Sequence, residues 1–87
     1  MNVFEQKNAE LVTEFDRYVL EHPEFAEQIP DGALVAMLLE GEEAFNRWSR
    51  AGAQKQAEQG QVIVYVKITQ LEPVRSRIKA LELAALG

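Results

Sequence analysis

Two apolar runs dominate the pattern of hydrophobic and polar positions. The first, Ala33-Leu34-Val35-Ala36-Met37-Leu38-Leu39, contains no polar residue, so a strand built from it has neither face in water and both faces are expected to be buried. The second, Val62-Ile63-Val64-Tyr65-Val66-Lys67-Ile68, is rich in β-branched and aromatic side chains whose stiff χ1 suits a pleated surface. Lys67 and Thr69 mark where one of its faces meets solvent. Between the runs, Glu42 to Gln59 is composed mostly of good helix formers, with acidic residues at its start, Gly60 as the expected terminator, and an apolar stripe of Ala44, Phe45, Trp48, Ala51 and Ala57. Asp31-Gly32 opens the whole pattern, which reads as one strand-helix-strand unit with parallel, right-handed connectivity.

Helical periodicity flanks this unit on both sides. Over residues 5–21, Leu11, Val12, Phe15, Tyr18 and Val19 share one face, with Glu10, Glu14, Asp16 and Arg17 opposite. Pro23 disfavours α geometry at His22, so this helix should end near Glu21, and Pro23 to Gln28 can then form a short turn of helix in which Phe25 plugs the core, as Ile29 does just beyond. Ile29-Pro30-Asp31-Gly32 is turn chemistry. Toward the other end, Leu71, Val74, Ile78, Leu81 and Ala85 recur at alternating steps of three and four, the seam of a two-heptad helix with Pro73 in its first turn. A strand there would set Arg75, Arg77 and Lys79 on the face of Leu81 and Leu83, so a C-terminal helix is predicted.

With 87 residues, the chain is expected to be one domain, 1–87, with a core only marginally sufficient. It holds no cysteine, which removes thiol catalysis, disulfides and thiolate metal sites. No basic-then-apolar leader precedes the first helix, and the apolar runs are far shorter than a bilayer core of about 30 Å requires of a helix, so a soluble cytoplasmic protein without a membrane partner is the expectation. Charge is divided unevenly. Residues 1–43 hold eleven acidic side chains against Lys7 and Arg17, a net −9, while residues 44–87 hold seven basic ones against Glu58, Glu72 and Glu82, a net +4. The halves can attract within a chain or between copies, although solvent-facing charge is the ordinary reading because surface pairs contribute only about 0–1 kcal/mol each.

Candidate chemistry is sparse. His22 is the sole histidine, and at a helix end it serves the C-terminal dipole more readily than general-base duty. Ser49 and Ser76 have no nearby histidine to activate them. Glu40-Gly41-Glu42-Glu43 leaves the first strand at the end where open α/β sheets bind ligands. Its single glycine and three carboxylates argue against phosphate and leave Glu40, Glu42 and Glu43 as weak candidates for a small ligand or a hard divalent cation, beside the plainer role of favouring a helix start. Trp48 is read as core. Arg47 and Arg50 on the middle helix, with Arg75, Arg77 and Lys79, are the material for nucleic-acid association, but no aromatic residues interleave them and no DNA- or RNA-binding motif accompanies them.

The segments Tyr18 to Pro23, Ile29-Pro30-Asp31-Gly32-Ala33, Val64-Tyr65-Val66-Lys67 and Pro73-Val74-Arg75-Ser76-Arg77 together resemble a family of small prokaryotic proteins of unknown function. The resemblance implies a compact domain of prokaryotic origin and supplies no catalytic residues. The residues therefore predict a small α/β fold in which two parallel strands are flanked by N-terminal, crossover and C-terminal helices. Two strands leave two edges, so the sheet is expected to be completed or covered by oligomerisation. The functional expectation is a non-catalytic interaction or regulatory module without cofactor, working as a homo-oligomer or with a second protein. Its interface candidates are Leu71, Val74, Ile78, Leu81 and Ala85. Nucleic-acid association through the basic half and ligand or cation binding at Glu40–Glu43 are the alternatives.

Overall fold

A computed structural model describes residues 2–85. Helix α1 (Val3–Glu21) begins with Asn2, whose side-chain oxygen accepts from the Glu5 N–H at 2.8 Å, while Glu5 Oε1 accepts from the Asn2 amide at 3.3 Å. The first bond satisfies one helix-end N–H that otherwise faces water, and the second joins the two side chains. Pro23 ends α1, as expected, and starts α2 (Pro23–Ala26). Phe25 lies edge-on to Phe15 and Tyr18, with ring centroids 6.0 and 5.9 Å away, and so closes the α1–α2 corner.

Strands β1 (Leu34–Leu39) and β2 (Ile63–Ile68) pair in parallel, Leu34 opposite Ile63 through Leu39 opposite Ile68, with helix α3 (Glu43–Gln56) between them in sequence. One sheet face carries Val35, Met37, Leu39, Val64, Val66 and Ile68, which close on Leu11, Phe45, Phe4, Phe15 and Trp48 to form the core. Its rings meet at centroid distances of 6.1 Å for Phe4–Phe45 and 5.8 Å for Phe4–Trp48. On the opposite face Ala36 and Leu38 are also buried, so β1 is covered on both sides, as its unbroken apolar run requires. Leu11 is fully buried while its neighbour Val12 is 38 % exposed. The predicted face of α1 is therefore narrower than expected, and Phe4, two turns before Leu11, joins it.

Helix α3 departs from expectation in two ways. It ends at Gln56, because Ala57 is already extended, with ψ at 133°; Gly60, at φ +81°, belongs to the turn into β2 and does not terminate the helix. The buried stripe is Phe45, Ser49 and Ala53, whereas Ala44 and Ala51 face solvent.

That rotation has a cause in the β1 edge. Leu34 N–H donates to Val62 O and Glu40 N–H to Ile68 O, both at 2.9 Å, so even-numbered β1 residues turn their bonding groups to β2 and odd-numbered ones turn outward. Helix α3 lies along that outer edge. The Asn46 side chain accepts from Leu39 N–H and donates to Leu39 O, each at 2.8 Å, and Ser49 Oγ donates to Met37 O at 2.7 Å. Two side chains one turn apart thus supply three of the partners, to Leu39 N–H, Leu39 O and Met37 O, that a third strand provides in a wider sheet.

The C-terminal segment corrects the prediction of a helix. Residues 69–85 form no helix or strand and are exposed throughout. A helix this short is marginal in water unless its apolar face is covered, and nothing in the single chain covers the seam.

Candidate interaction surface

Each residue of β2 directs its backbone groups to one side only. With Val62, Val64, Val66 and Ile68 turned toward β1, the N–H and C=O of Ile63, Tyr65 and Lys67 point outward. Among the described residues no hydrogen bond reaches these groups and no element packs along this edge. Among the described residues the sheet therefore has one edge covered by α3 and bonded in part by Asn46 and Ser49, and one edge with no such cover. Tyr65 is half-buried, with the Arg50 guanidinium 5.3 Å above its ring. Lys67 Nζ lies 3.5 Å from Glu40 Oε1, which offsets the only charge on this strand.

The tail leaves the end of β2. Val74 is 94 % exposed and Ile78, Leu81 and Leu83 are each more than half exposed. Leu71 is the least exposed of the predicted seam, at 37 %, because it borders an open cavity of about 300 Å³ lined also by Phe15, Tyr18, Phe25, Val66 and Ile68. Ala85 is exposed as well. The five seam residues are thus on the surface, and they are not assembled into a face. Further along, Arg75 and Arg77 border the same groove as Glu10 and Glu14 of α1, so the basic tail runs beside the acidic first half.

The remaining candidates are dispersed. Glu40 is turned toward Lys67, Glu42 precedes α3 with its carbonyl accepting from Asn46 N–H at 2.9 Å, and Glu43 lies in the first turn of α3. Among the described residues no three histidine or acidic side chains come together to hold a metal ion. His22 stacks on Tyr18, centroids 4.1 Å apart, with Nδ1 3.1 Å from Tyr18 O. It closes the end of α1, and no nucleophile adjoins it.

Asn46 and Ser49 escaped the sequence reading. Their signal was present: two hydrogen-bonding side chains three residues apart, beside the apolar residues of the crossover helix, where a buried polar group must have a partner.

These features define a small α/β module whose distinctive surface is a single open strand edge continued by an apolar tail. The chain belongs to the Family of unknown function (DUF5647), whose model matches residues 3–81. No curated protein and no solved structure matches it.

Proposed function

We propose that this protein is a non-catalytic interaction module that works as a homodimer. The observation that carries this reading is surface area. The single chain exposes 7432 Å², whereas a folded monomer of 9.8 kDa is expected to expose about 5,200 Å². The excess is roughly 2,000 Å² per chain, or about 4,000 Å² for a pair, which falls in the range that obligate homodimer interfaces bury. The radius of gyration agrees, at 17.5 Å against about 12 Å for a compact chain of this length. Much of the excess comes from residues 71–85, eight of whose fifteen residues are apolar, a composition unlike that of a permanently solvated segment.

Multi-angle light scattering after size exclusion at micromolar concentration tests the proposal. It should give about twice the chain mass, the twofold dimer being the commonest homo-oligomer; a monomer across the micromolar range would sink it. Ile78→Asp should give a monomer that still unfolds cooperatively, because Ile78 is 65 % exposed in the single chain and supports no intramolecular core.

A further inference from the structure

We infer that the open edge of β2 pairs antiparallel with β2 of a second copy, about a twofold axis through Tyr65, to make a continuous four-stranded sheet. This rests on the dimer reading and specifies its geometry. The outward groups belong to Ile63, Tyr65 and Lys67, and in an antiparallel ladder residues directly opposite exchange both hydrogen bonds. With Tyr65 opposite the partner's Tyr65, Ile63 falls opposite the partner's Lys67, so all three residues on each copy are bonded, about six hydrogen bonds in all. Moving the axis to residue 64 would bring in Gln61, whose N–H is already given to Glu58 O at 2.9 Å; moving it to residue 66 would bring in Thr69, beyond the strand. The Tyr65 register alone keeps the pairing inside Ile63–Ile68.

Side chains agree with that register. On the core face Val64 meets the partner's Val66, a β-branched pair at the closer spacing of a non-hydrogen-bonded site. On the other face the two Tyr65 rings adjoin, and each Lys67 faces an isoleucine, so like charges are not opposed. A second copy is the fitting occupant because the edge is complementary to itself and because the β1 edge is covered by α3. The tail supports the same partner. Thr69 comes opposite the partner's Gln61, so each tail is carried across the other copy, next to Val62, which is 54 % exposed. A lone strand pair buries too little area for a stable dimer, and the apolar tails supply the remainder.

The chain's lack of cysteine makes disulfide mapping unambiguous. Opposed Cα atoms at a hydrogen-bonded site lie about 5.5 Å apart, within disulfide range. Full-length Tyr65→Cys, oxidised at micromolar concentration, should become a covalent dimer. Ile63→Cys refolded with Lys67→Cys should yield a mixed disulfide at least tenfold in excess of either variant alone, which decides the matter if Tyr65→Cys does not fold. Ile63→Cys joining to itself would mean another register and would overturn the inference. A wild-type dimer with neither cross-link overturns the edge pairing and leaves the dimer standing, whereas a wild-type monomer overturns both.

Discussion

Replacing Asn46 by alanine tests whether α3 stands in for a missing strand. The substitution removes two 2.8 Å hydrogen bonds and strips Leu39 N–H and C=O of their partners at a half-buried site. A hydrogen bond contributes about 1 kcal/mol net, and an orphaned buried group costs about 1–3 kcal/mol; partial access of water to this edge keeps the sum near 2–2.5 kcal/mol. Alanine returns about 0.5 kcal/mol through its better helix propensity. The expected loss is therefore about 2 kcal/mol, or roughly 10 °C in Tm for a domain of this size. Ser49→Ala removes one donor to Met37 O and should cost about 1 kcal/mol by the same reasoning. Gln54→Ala, on the exposed side of α3, should stay within about 0.5 kcal/mol of wild type. Urea unfolding followed by circular dichroism and by Trp48 fluorescence, at one fixed protein concentration because the proposed dimerisation would add to apparent stability, gives all three values. Asn46→Ala behaving like Gln54→Ala would refute the claim that the helix seals β1.

Other substitutions probe the core, the cap and the charges. Leu11→Ala, at a fully buried site, should cost about 2–5 kcal/mol, while Val12→Ala, one residue on and 38 % exposed, should cost under about 1 kcal/mol; equal losses in chemical denaturation would mean the core face of α1 is misplaced. His22→Ala should remove only the stacking and the contact to Tyr18 O, lowering stability by less than about 1 kcal/mol. Any turnover lost on that change with the fold intact would contradict a non-catalytic role. Arg75, Arg77 and Lys79 should give no binding to duplex DNA at physiological salt, since Glu10 and Glu14 border the same groove as the two arginines. Fluorescence anisotropy showing an affinity that falls steeply with salt, by about 0.9 in log–log slope per phosphate contact, would instead favour the nucleic-acid reading.

The strand-helix-strand unit was legible because its signals are local and agree with one another. Two apolar runs, the turn chemistry of Ile29 to Gly32 and the stop at Pro23 each restrict backbone dihedrals or burial by themselves. What the sequence concealed was geometry between elements. The stripe on α3 looked like Ala44, Phe45, Trp48, Ala51 and Ala57 because periodicity counts apolar residues, yet the helix rests on a strand edge whose exposed backbone demands Asn46 and Ser49. The tail misled in the opposite way. Its heptad spacing describes a helix that is marginal unless its apolar face is covered, and spacing cannot say whether a covering surface lies in the same chain. The candidate surface was half visible: the apolar tail could be named from its residues, but the open edge of β2 appeared only when the hydrogen-bond direction of each strand residue was known.

The unequal edges of this sheet bear on why association should stop at two. A sheet with both edges free can add copies on each side and grow into a filament, and proteins normally blunt such edges. Here α3 packs along β1 and its side-chain amide and hydroxyl groups bond Leu39 N–H, Leu39 O and Met37 O, which blunts that edge and disfavours growth from it. The proposed twofold pairing through β2 would consume the uncovered edge of each copy and close the assembly. In the proposed dimer, the same residues that add to the stability of the chain would also limit its stoichiometry. Loss of Asn46 and Ser49 together should do more than weaken the fold: it should reopen β1 and shift the protein from a dimer toward larger, strand-linked species.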